Sequence, residues 1–479
     1  MKIYLDNIGI IKESEILVDG LTIVAGENSS GKSTIGKSLY AVYNAIENIE
    51  IRNQNDKVNY ARNVAGQIIY SGEMAYLFNH LRYGDLNKAR QSGLVDLIGS
   101  PLPKFVTVEE AEQFLIRLKN DISSLNDSLD TLTNNQRVQV ARQMIKRLQD
   151  TSLPRIDSVL ALFKMDQNMT QYTGDWIAKS LGAEMCSQIQ PIKYHDIRST
   201  LTIEDNVPQF VNLVIEEGNK YKVSCKRDMK SIKKVFLLDN ILDLDLAYSS
   251  VREKQSVSIN KSTEELPAEY YNFMNSRSAL KHNNKNRIIL SSLGNLSVIE
   301  EKVYAEKTKH ILELLDEIIP GHFSSREDGM YYAENQSELN AANLASGSKL
   351  LAMIKILLVR GDLDEGTLLI LDEPECHLHP EWQRKLAEIV CLMIKDLGVK
   401  VVITTHNPNF LLALDTFSLK HNIRTKTHIY QSFKDKDNYM SIFKAVDKNI
   451  ESIYASMSKP FLELDAQRRS IMLGDDDNE

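Results

Sequence analysis

The chain has few cysteines, only two tryptophans and no apolar run long enough to cross a bilayer. Its four cysteines, Cys186, Cys225, Cys376 and Cys391, form no Cys-x-x-Cys pair, which argues against a zinc framework or a disulfide framework. No apolar stretch approaches the roughly 20 residues that a membrane-spanning helix needs. The start, MKIYLDNIGI, lacks the charged-then-apolar order of a signal peptide. We therefore expect a cytoplasmic protein with reduced thiols and no membrane partner.

An excess of basic residues is also lacking. The chain carries 57 Lys and Arg against 65 Asp and Glu, a formal net charge of −8. This balance argues against a protein coated in nucleic acid, although a local basic face remains compatible with it. With 479 residues and 43% hydrophobic side chains, the chain can bury a sizeable core, and we expect two to four structural units.

The pattern of apolar and polar residues changes along the sequence and predicts an α/β protein with a helical insertion. Residues 1–50 and 190–430 alternate strand and helix patterns, and the continuous apolar strands predict a mixed or parallel sheet covered by helices on both faces. ILVDGLTIV predicts a hairpin that turns at Asp19-Gly20. Residues 51–189 carry helical patterns, and residues 431–479 form a strand-helix extension with an acidic tail.

The helical insertion contains a heptad seam of three repeats. Two interpretations stay open: an ordinary amphipathic helix packed on a core, or a short antiparallel coiled-coil arm. The seam consists of Ala111, Leu115, Leu118, Ile122, Leu125, Leu129 and Leu132.

GENSSGKST, residues 26–34, has the spacing of a phosphate-binding loop between a strand and a helix. Its glycines allow backbone amides to point at phosphate oxygens, and the following helix N-terminus adds the positive end of its dipole. Lys32 is expected to reach the β- and γ-phosphates of ATP, and the Ser33 hydroxyl to ligate Mg²⁺. The predicted nucleotide-binding residues of this loop are Gly26, Asn28, Ser29, Ser30, Gly31, Lys32, Ser33 and Thr34.

Two further strands deliver polar residues where open α/β sheets bind ligands. LLILDEP ends in Asp372, expected to hold Mg²⁺ through water, and Glu373, expected to orient or deprotonate the attacking water. VVITTHNP ends at His406, placed to contact the γ-phosphate and the water. In NLASGSKLLA, Ser346 and Gly347 lie at a predicted helix N-terminus suited to an anion, although Ser-Gly is also a common helix start.

The order of these elements resembles the ATPase head of ABC-type proteins, and more narrowly the SMC/OLD-like group. LDEPECHLHPEWQRKL is similar to that group's DEPE-x-x-LHP stretch, and NSSGKST with LDNIGIIKESEI is similar to its opening. The resemblance implies that Ser346 and Gly347 complete the ATP site of a neighbouring subunit, in a head-to-head dimer or a higher homo-oligomer. It also implies that His379 lies at the dimer seam. LASGSK departs from the group's usual LSGGQ, which puts the turnover rate in doubt.

A nuclease site is not predicted. Only 73 residues follow His406, and the acidic runs in this segment do not lie on predicted strands. An ATPase head without an effector resembles the ATPase subunit of two-gene anti-phage systems such as Septu or PARIS. That resemblance implies a sensor that controls an HNH or Toprim-like nuclease encoded nearby, triggered by double-stranded DNA or a phage protein. Two alternatives stay open: a DNA-repair ATPase of the SMC-like kind that acts on DNA directly, and an ATP-binding scaffold with negligible turnover.

The C-terminal segment carries an amphipathic pattern of large apolar side chains. We expect it to pack back on its own head, while docking of a partner is the alternative. The residues of this pattern are Ile450, Ile453, Tyr454, Met457, Phe461 and Leu462.

Overall fold

Thirteen parts of the chain are described in the computed structural model. They are residues 1–47, 49–80, 105–125, 136–164, 169–191, 197–216, 221–226, 231–239, 282, 298–326, 329–435, 440–447 and 450–473. These residues divide between two compact units. One holds residues 1–47 and the described residues from 169 onward, and the other holds the described residues from 49 to 164.

The first unit is built on a mixed sheet of eleven described strands, which confirms the predicted α/β class with a mixed sheet. The strands are β1 (Lys2–Ile8), β2 (Ile11–Leu17), β3 (Leu21–Ala25), β4 (Ser199–Asp205), β5 (Val207–Ile215), β6 (Tyr221–Cys225), β7 (Lys234–Leu238), β11 (Thr367–Asp372), β12 (Lys400–Thr405), β13 (Thr427–Lys434) and β14 (Ser441–Ala445). Their order in the sheet is β6-β5-β4-β1-β2-β14-β13-β3-β12-β11-β7.

The strands from β13 to β7 in this order are parallel, whereas those from β6 to β2 pair antiparallel. The parallel part matches the sequence pattern, because β3 is buried at every position and β11 and β12 at five of six. The register aligns Ala25 with Thr405, and Asp372 with Thr404. The carboxyl ends of β3, β12 and β11 therefore meet at one edge of the sheet.

Helices cover both faces of the sheet, and two apolar clusters form the cores on its two sides. The helices of this unit are α1 (Lys32–Ile46), α6 (Met169–Glu184), α7 (Val298–Asp316), α8 (Ser346–Val359), α9 (Pro380–Leu397), α10 (Pro408–Lys420) and α11 (Ile450–Leu473). Local signals set some ends: Pro380 opens α9, and Gly398 closes it in the left-handed conformation. A small antiparallel sheet of β8 (His322–Arg326), β9 (Gly329–Glu334) and β10 (Ser337–Asn340) was not predicted.

The second unit is helical. Its described helices are α2 (Ile49–Ile69), α3 (Gly72–His80), α4 (Val108–Ser123) and α5 (Gln136–Lys164). The first five residues of the heptad seam, Ala111 to Leu125, are all buried in one core that α2, α3, α4 and α5 share. This packing favours an amphipathic helix on a core over a two-helix arm. Leu129 and Leu132 lie outside the described residues.

Two features differ from the sequence expectation. The hairpin predicted at Asp19-Gly20 is wrong: β2 pairs with β1 and β14, and β3 pairs with β12 and β13. The turn exists, with Gly20 at φ +64°, but it carries the chain from the antiparallel to the parallel part of the sheet. Helix α6, placed in the insertion from its sequence, packs on α1 and β6 of the first unit. No described helix is both long and apolar enough to cross a membrane.

Candidate active site

The phosphate loop connects the buried strand β3 to helix α1. Gly31 takes the N-cap position at φ +88°, and Ser29 adopts φ +58°, so the loop uses left-handed backbone at two positions. A Cβ on Gly26 would lie 1.9 Å from Ser432 Oγ of β13, so only glycine fits there. The Ser30 hydroxyl is buried, and no hydrogen-bond partner for it lies in the described part of the chain. Asn28 is exposed, whereas Ser33 and Thr34 are half-buried on the first turn of α1.

Lys32 is the charged centre of this loop. Its side chain is 4% exposed, and its Nζ donates to the carbonyl oxygens of Gly26 at 3.0 Å and Glu27 at 2.9 Å. The same Nζ lies 3.2 Å from Oε1 of Glu373. A buried ammonium group needs such partners, because isolation from water disfavours its charge. The loop and the end of β11 are thus held together through one amine.

Asp372 and Glu373 follow β11 where the sheet register places them beside β12. Asp372 accepts a hydrogen bond from the Thr404 hydroxyl. The Glu373 amide donates to the Thr404 hydroxyl at 3.0 Å and lies 3.2 Å from its carbonyl oxygen. Glu373 itself adopts φ +49°, a conformation that costs energy for a residue with a side chain. This backbone kink turns its carboxylate toward Lys32.

His406 completes the group at the end of β12. Its Nδ1 lies 3.3 Å from Oε1 of Glu373, the same oxygen that contacts Lys32. The His406 side chain is 39% exposed, so solvent reaches this carboxylate from the histidine side. Two of the predicted residues, Lys32 and His406, therefore contact the same carboxylate oxygen of a third, Glu373.

Glu375 was missed by the sequence analysis, although it stands inside the quoted DEPE stretch. It is 3% exposed, and its Oε1 accepts from the Thr405 hydroxyl at 2.5 Å and from the His406 amide at 3.3 Å. Its Oε2 is buried without a partner among the described residues. Burial raises the pKa of Glu375, partly offset by the Thr405 hydrogen bond. This carboxyl group fixes the end of β12, and only the spacing within DEPE could have pointed to it.

Cys376 is a second unpredicted neighbour of the site. Its Sγ lies 3.8 Å from Oε2 of Glu373. Burial, helped by the negative charges of Glu375 and Glu373, raises the pKa of Cys376 to about 11, so the thiol is protonated at neutral pH. Glu373, Cys376 and His406 are close enough to share a cation, and theirs is the one such cluster among the described parts of the chain.

Ser346 and Gly347 form the first turn of α8. Ser346 is exposed, and no side chain caps this helix. A Cβ on Gly347 would lie 2.5 Å from the His377 carbonyl oxygen, so the helix start packs closely on the turn after Cys376. On that turn His379 caps α9, its Nδ1 accepting from the Glu381 amide at 3.4 Å. The structure brings Ser346 to the surface and leaves its first-turn amides without a side-chain cap.

The donor set fits a magnesium nucleotide. A buried amine, an unpartnered Ser30 hydroxyl and a glycine-lined helix start are suited to phosphate oxygens. The Ser33 hydroxyl and the Asp372 carboxylate are oxygen ligands of the kind Mg²⁺ prefers. Asp372 ends β11, and Ser33 lies on the first turn of α1, after the loop that leaves the carboxyl end of β3. The register brings the carboxyl ends of β3, β12 and β11 level.

Comparisons with known proteins give one family match and several similar solved structures. The family model for the AAA ATPase domain matches residues 1–411. Among solved structures, the SMC head domain from Thermotoga maritima is similar at 11% identity and a TM-score of 0.34, covering 93% of this chain and 98% of that one. The Smc head domain with an extended coiled coil bound to the C-terminal domain of ScpA, from Pyrococcus furiosus, is similar at 11% identity and a TM-score of 0.37, covering 98% of each chain. A search of curated proteins found no match.

Proposed function

The chain belongs to the AAA ATPase domain family, and from this membership we propose that its site binds ATP and hydrolyses it slowly with Glu373 as the general base. The observation that supports this is the convergence of Lys32, Glu373 and His406 on one carboxylate oxygen. A carboxylate beside a buried amine and an exposed imidazole can accept a proton from water while the amine neutralises phosphate charge.

The contacts of Lys32 suggest how ATP binding would prepare this base. In the described conformation, the amine is shared between two loop carbonyls and Glu373. The β- and γ-phosphates of ATP would compete for the amine, because a phosphate oxygen carries more charge than a carbonyl oxygen. Glu373 would then turn from Lys32 toward His406 and the attacking water.

The remaining roles follow from position. Gly26, Asn28, Ser29, Ser30, Gly31 and Thr34 would bind the phosphates through the loop and the first turn of α1. Mg²⁺, when bound by Ser33 and Asp372, supplies positive charge to the phosphate oxygens. His406 would contact the γ-phosphate and the water, with Glu375 fixing its backbone.

The test of hydrolysis compares Glu373→Gln with the wild type. We expect Glu373→Gln to retain ATP binding and to lose phosphate release by about 10²-fold or more, since a positioned base contributes about that factor. Glu451→Gln, an exposed change on α11, is the control and should leave both unchanged. Equal rates near background for the wild type and Glu373→Gln would favour an ATP-binding scaffold instead.

We further propose that two copies form composite ATP sites, with Ser346 and Gly347 of one copy completing the site of the other. The exposed, uncapped start of α8 supports this, because its amides are available to an anion from outside the chain. Lys32→Ala and Ser346→Arg should each abolish hydrolysis alone. An equimolar mixture should recover about a quarter of wild-type activity, since half of random dimers would keep one intact site. No recovery on mixing would contradict the composite site.

The biological role that we propose is control of a nuclease partner in an anti-phage system, with ATP binding setting the state of the assembly. It rests on the similarity of LDEPECHLHPEWQRKL and NSSGKST to the SMC/OLD-like group and on the systems that group includes. Co-purification with the product of a neighbouring nuclease gene, and loss of phage protection in Lys32→Ala, would support it. Hydrolysis stimulated by DNA without any such partner would favour direct action in DNA repair.

A further inference from the structure

The C-terminal helix α11 has two halves with different surroundings. In the first half, Ile453 is fully buried, and Tyr454 and Met457 pack against the core cluster beneath α10. This part agrees with the expectation that the segment packs back on its own unit. Pro460 lies inside the helix and marks the change.

From Lys459 to Met472, every described residue is exposed except Asp465, which is half-buried. This half carries large apolar side chains that a solvated helix does not need, and each keeps well over half of its surface exposed. They are Phe461 at 72%, Leu462 at 60%, Leu464 at 65%, Ile471 at 68% and Met472 at 71%. We call residues 459–472 the free half of α11.

The apolar residues of the free half fall largely on one side. Phe461 and Leu464 are one turn apart, and Leu464 and Ile471 are seven residues apart, which is the spacing of a helix seam. Met472 lies close to the same side, since eleven residues, about three turns, separate it from Phe461. A stripe of this kind is the pattern that pairs with another helix.

The charges of the free half indicate which partner fits it. At its middle, Asp465 precedes Arg468 and Arg469, while Lys459 and Glu463, nearer its start, pair with each other within the helix at 3.6 Å. Asp465 pairs with Arg469 within the helix at 2.6 Å. Arg468 has no acidic partner among the described residues. An acidic-then-basic order is self-complementary when two copies run antiparallel.

We propose that the free half of α11 pairs antiparallel with the same segment of a second copy, crossing between Ala466 and Gln467. This register sets Asp465 of each copy against Arg468 of the other and Phe461 against Met472. The interface is isologous, so each favourable contact occurs twice.

The pairing is separate from the head-to-head contact of the proposed ATP site. A pair of helices about four turns long buries less than a standard interface, so it dimerises weakly by itself. The helix pair holds a second ATPase head close to the first. Nucleotide-dependent contact between the two heads then takes place within one assembly.

The test uses the full chain without nucleotide and measures self-association by sedimentation velocity over a concentration series. Asp465→Arg and Arg468→Asp should each raise the dissociation constant of the homodimer by about tenfold or more, because each sets like charges opposite twice. An equimolar mixture of the two variants should restore association, since the mixed pair matches opposite charges at both positions. Glu451→Arg, on the packed half, should change nothing.

Restored association in the mixture is the expected result and would be hard to explain by any occupant other than a second copy. The proposal is overturned if the wild type stays monomeric, if either charge reversal leaves association unchanged, or if mixing restores nothing. Repeating the series in a Lys32→Ala background separates this proposal from the proposed ATPase, because helix pairing should persist when nucleotide binding is lost. Matching far-ultraviolet circular dichroism and Tm values establish that the variants fold.

Discussion

Lys32 Nζ lies 3.2 Å from Oε1 of Glu373, an ion pair that joins the phosphate loop to the end of β11. The pair is buried on the lysine side and partly open on the glutamate side, with side-chain exposures of 4% and 30%. The same oxygen contacts His406 at 3.3 Å. One carboxylate oxygen therefore contacts both the buried amine of Lys32 and the exposed imidazole of His406.

Replacement of Lys32 by Ala should weaken ATP binding strongly, because the loop loses the buried cation that faces its carbonyl oxygens. We expect a loss of affinity of about 10²-fold or more, the size of a charge-assisted contact of about 3 kcal/mol. Titration with a fluorescent ATP analogue measures it. Lys420→Ala is the control: this lysine is exposed on α10, where it pairs with Glu388. Similar affinities for both variants would contradict the role of Lys32.

Gly26→Ala should also weaken ATP binding, since the added Cβ would lie 1.9 Å from Ser432 Oγ and force the loop to move. Gly182→Ala in α6 is a matched control, because nothing lies within 4 Å of its added Cβ. That control should keep affinity and gain up to about 1 kcal/mol of stability from helix propensity. Adding Ser432→Gly to Gly26→Ala should restore part of the binding, and failure to do so would show that the clash is not the cause.

Glu375→Ala should destabilise the protein by about 2 kcal/mol, because it leaves the buried Thr405 hydroxyl without its acceptor. Glu375→Gln should cost less, since its amide oxygen can still accept from Thr405 and His406. Urea unfolding measures both changes. For hydrolysis, we expect Glu375→Ala to lower kcat more than it raises KM, because the position of His406 changes while the phosphate loop does not. A purely structural Glu375 would leave kcat of the folded fraction unchanged.

The free energy of unfolding should decrease as the pH rises from about 6.5 to about 9, because His282 loses its proton over this range. Its Nε2 lies 2.7 Å from Asp239 and its Nδ1 lies 2.8 Å from Glu184. Burial lowers the pKa of His282, but the hydrogen bonds and charges of Asp239 and Glu184 outweigh burial and raise that pKa to about 9. Because the folded pKa exceeds the unfolded value of about 6.5, the stabilisation is complete below pH 6.5 and is lost as pH rises through 9.

The size of this effect is on the order of 3 kcal/mol, since each unit of pKa difference corresponds to about 1.4 kcal/mol. Urea unfolding of the wild type and of His282→Gln over this pH range measures it. The variant should lack the decline, because glutamine does not titrate. A parallel decline in both proteins would assign the pH dependence to other groups.

Much of the fold could be predicted from the sequence, because β3, β11 and β12 are continuous apolar runs and each is followed by a helical pattern. LTIVA, LLILD and KVVITT became β3, β11 and β12. The hairpin at Asp19-Gly20 could not be predicted correctly, since a turn signal fixes a change of direction but not the strand that pairs next. The burial of the heptad seam in a four-helix core depended likewise on helices distant in sequence.

The sequence by itself determined the phosphate loop and the residue types at the ends of β11 and β12, because spacing and apolar runs act locally. Only the tertiary structure decided that Lys32, Glu373 and His406 share one oxygen, since this requires the parallel register of β3, β12 and β11. It also decided which part of α11 is covered: Ile453 is buried, whereas Phe461 is exposed in the same amphipathic pattern. A pattern gives a residue its face on a helix, but burial depends on whether another element lies beside that face.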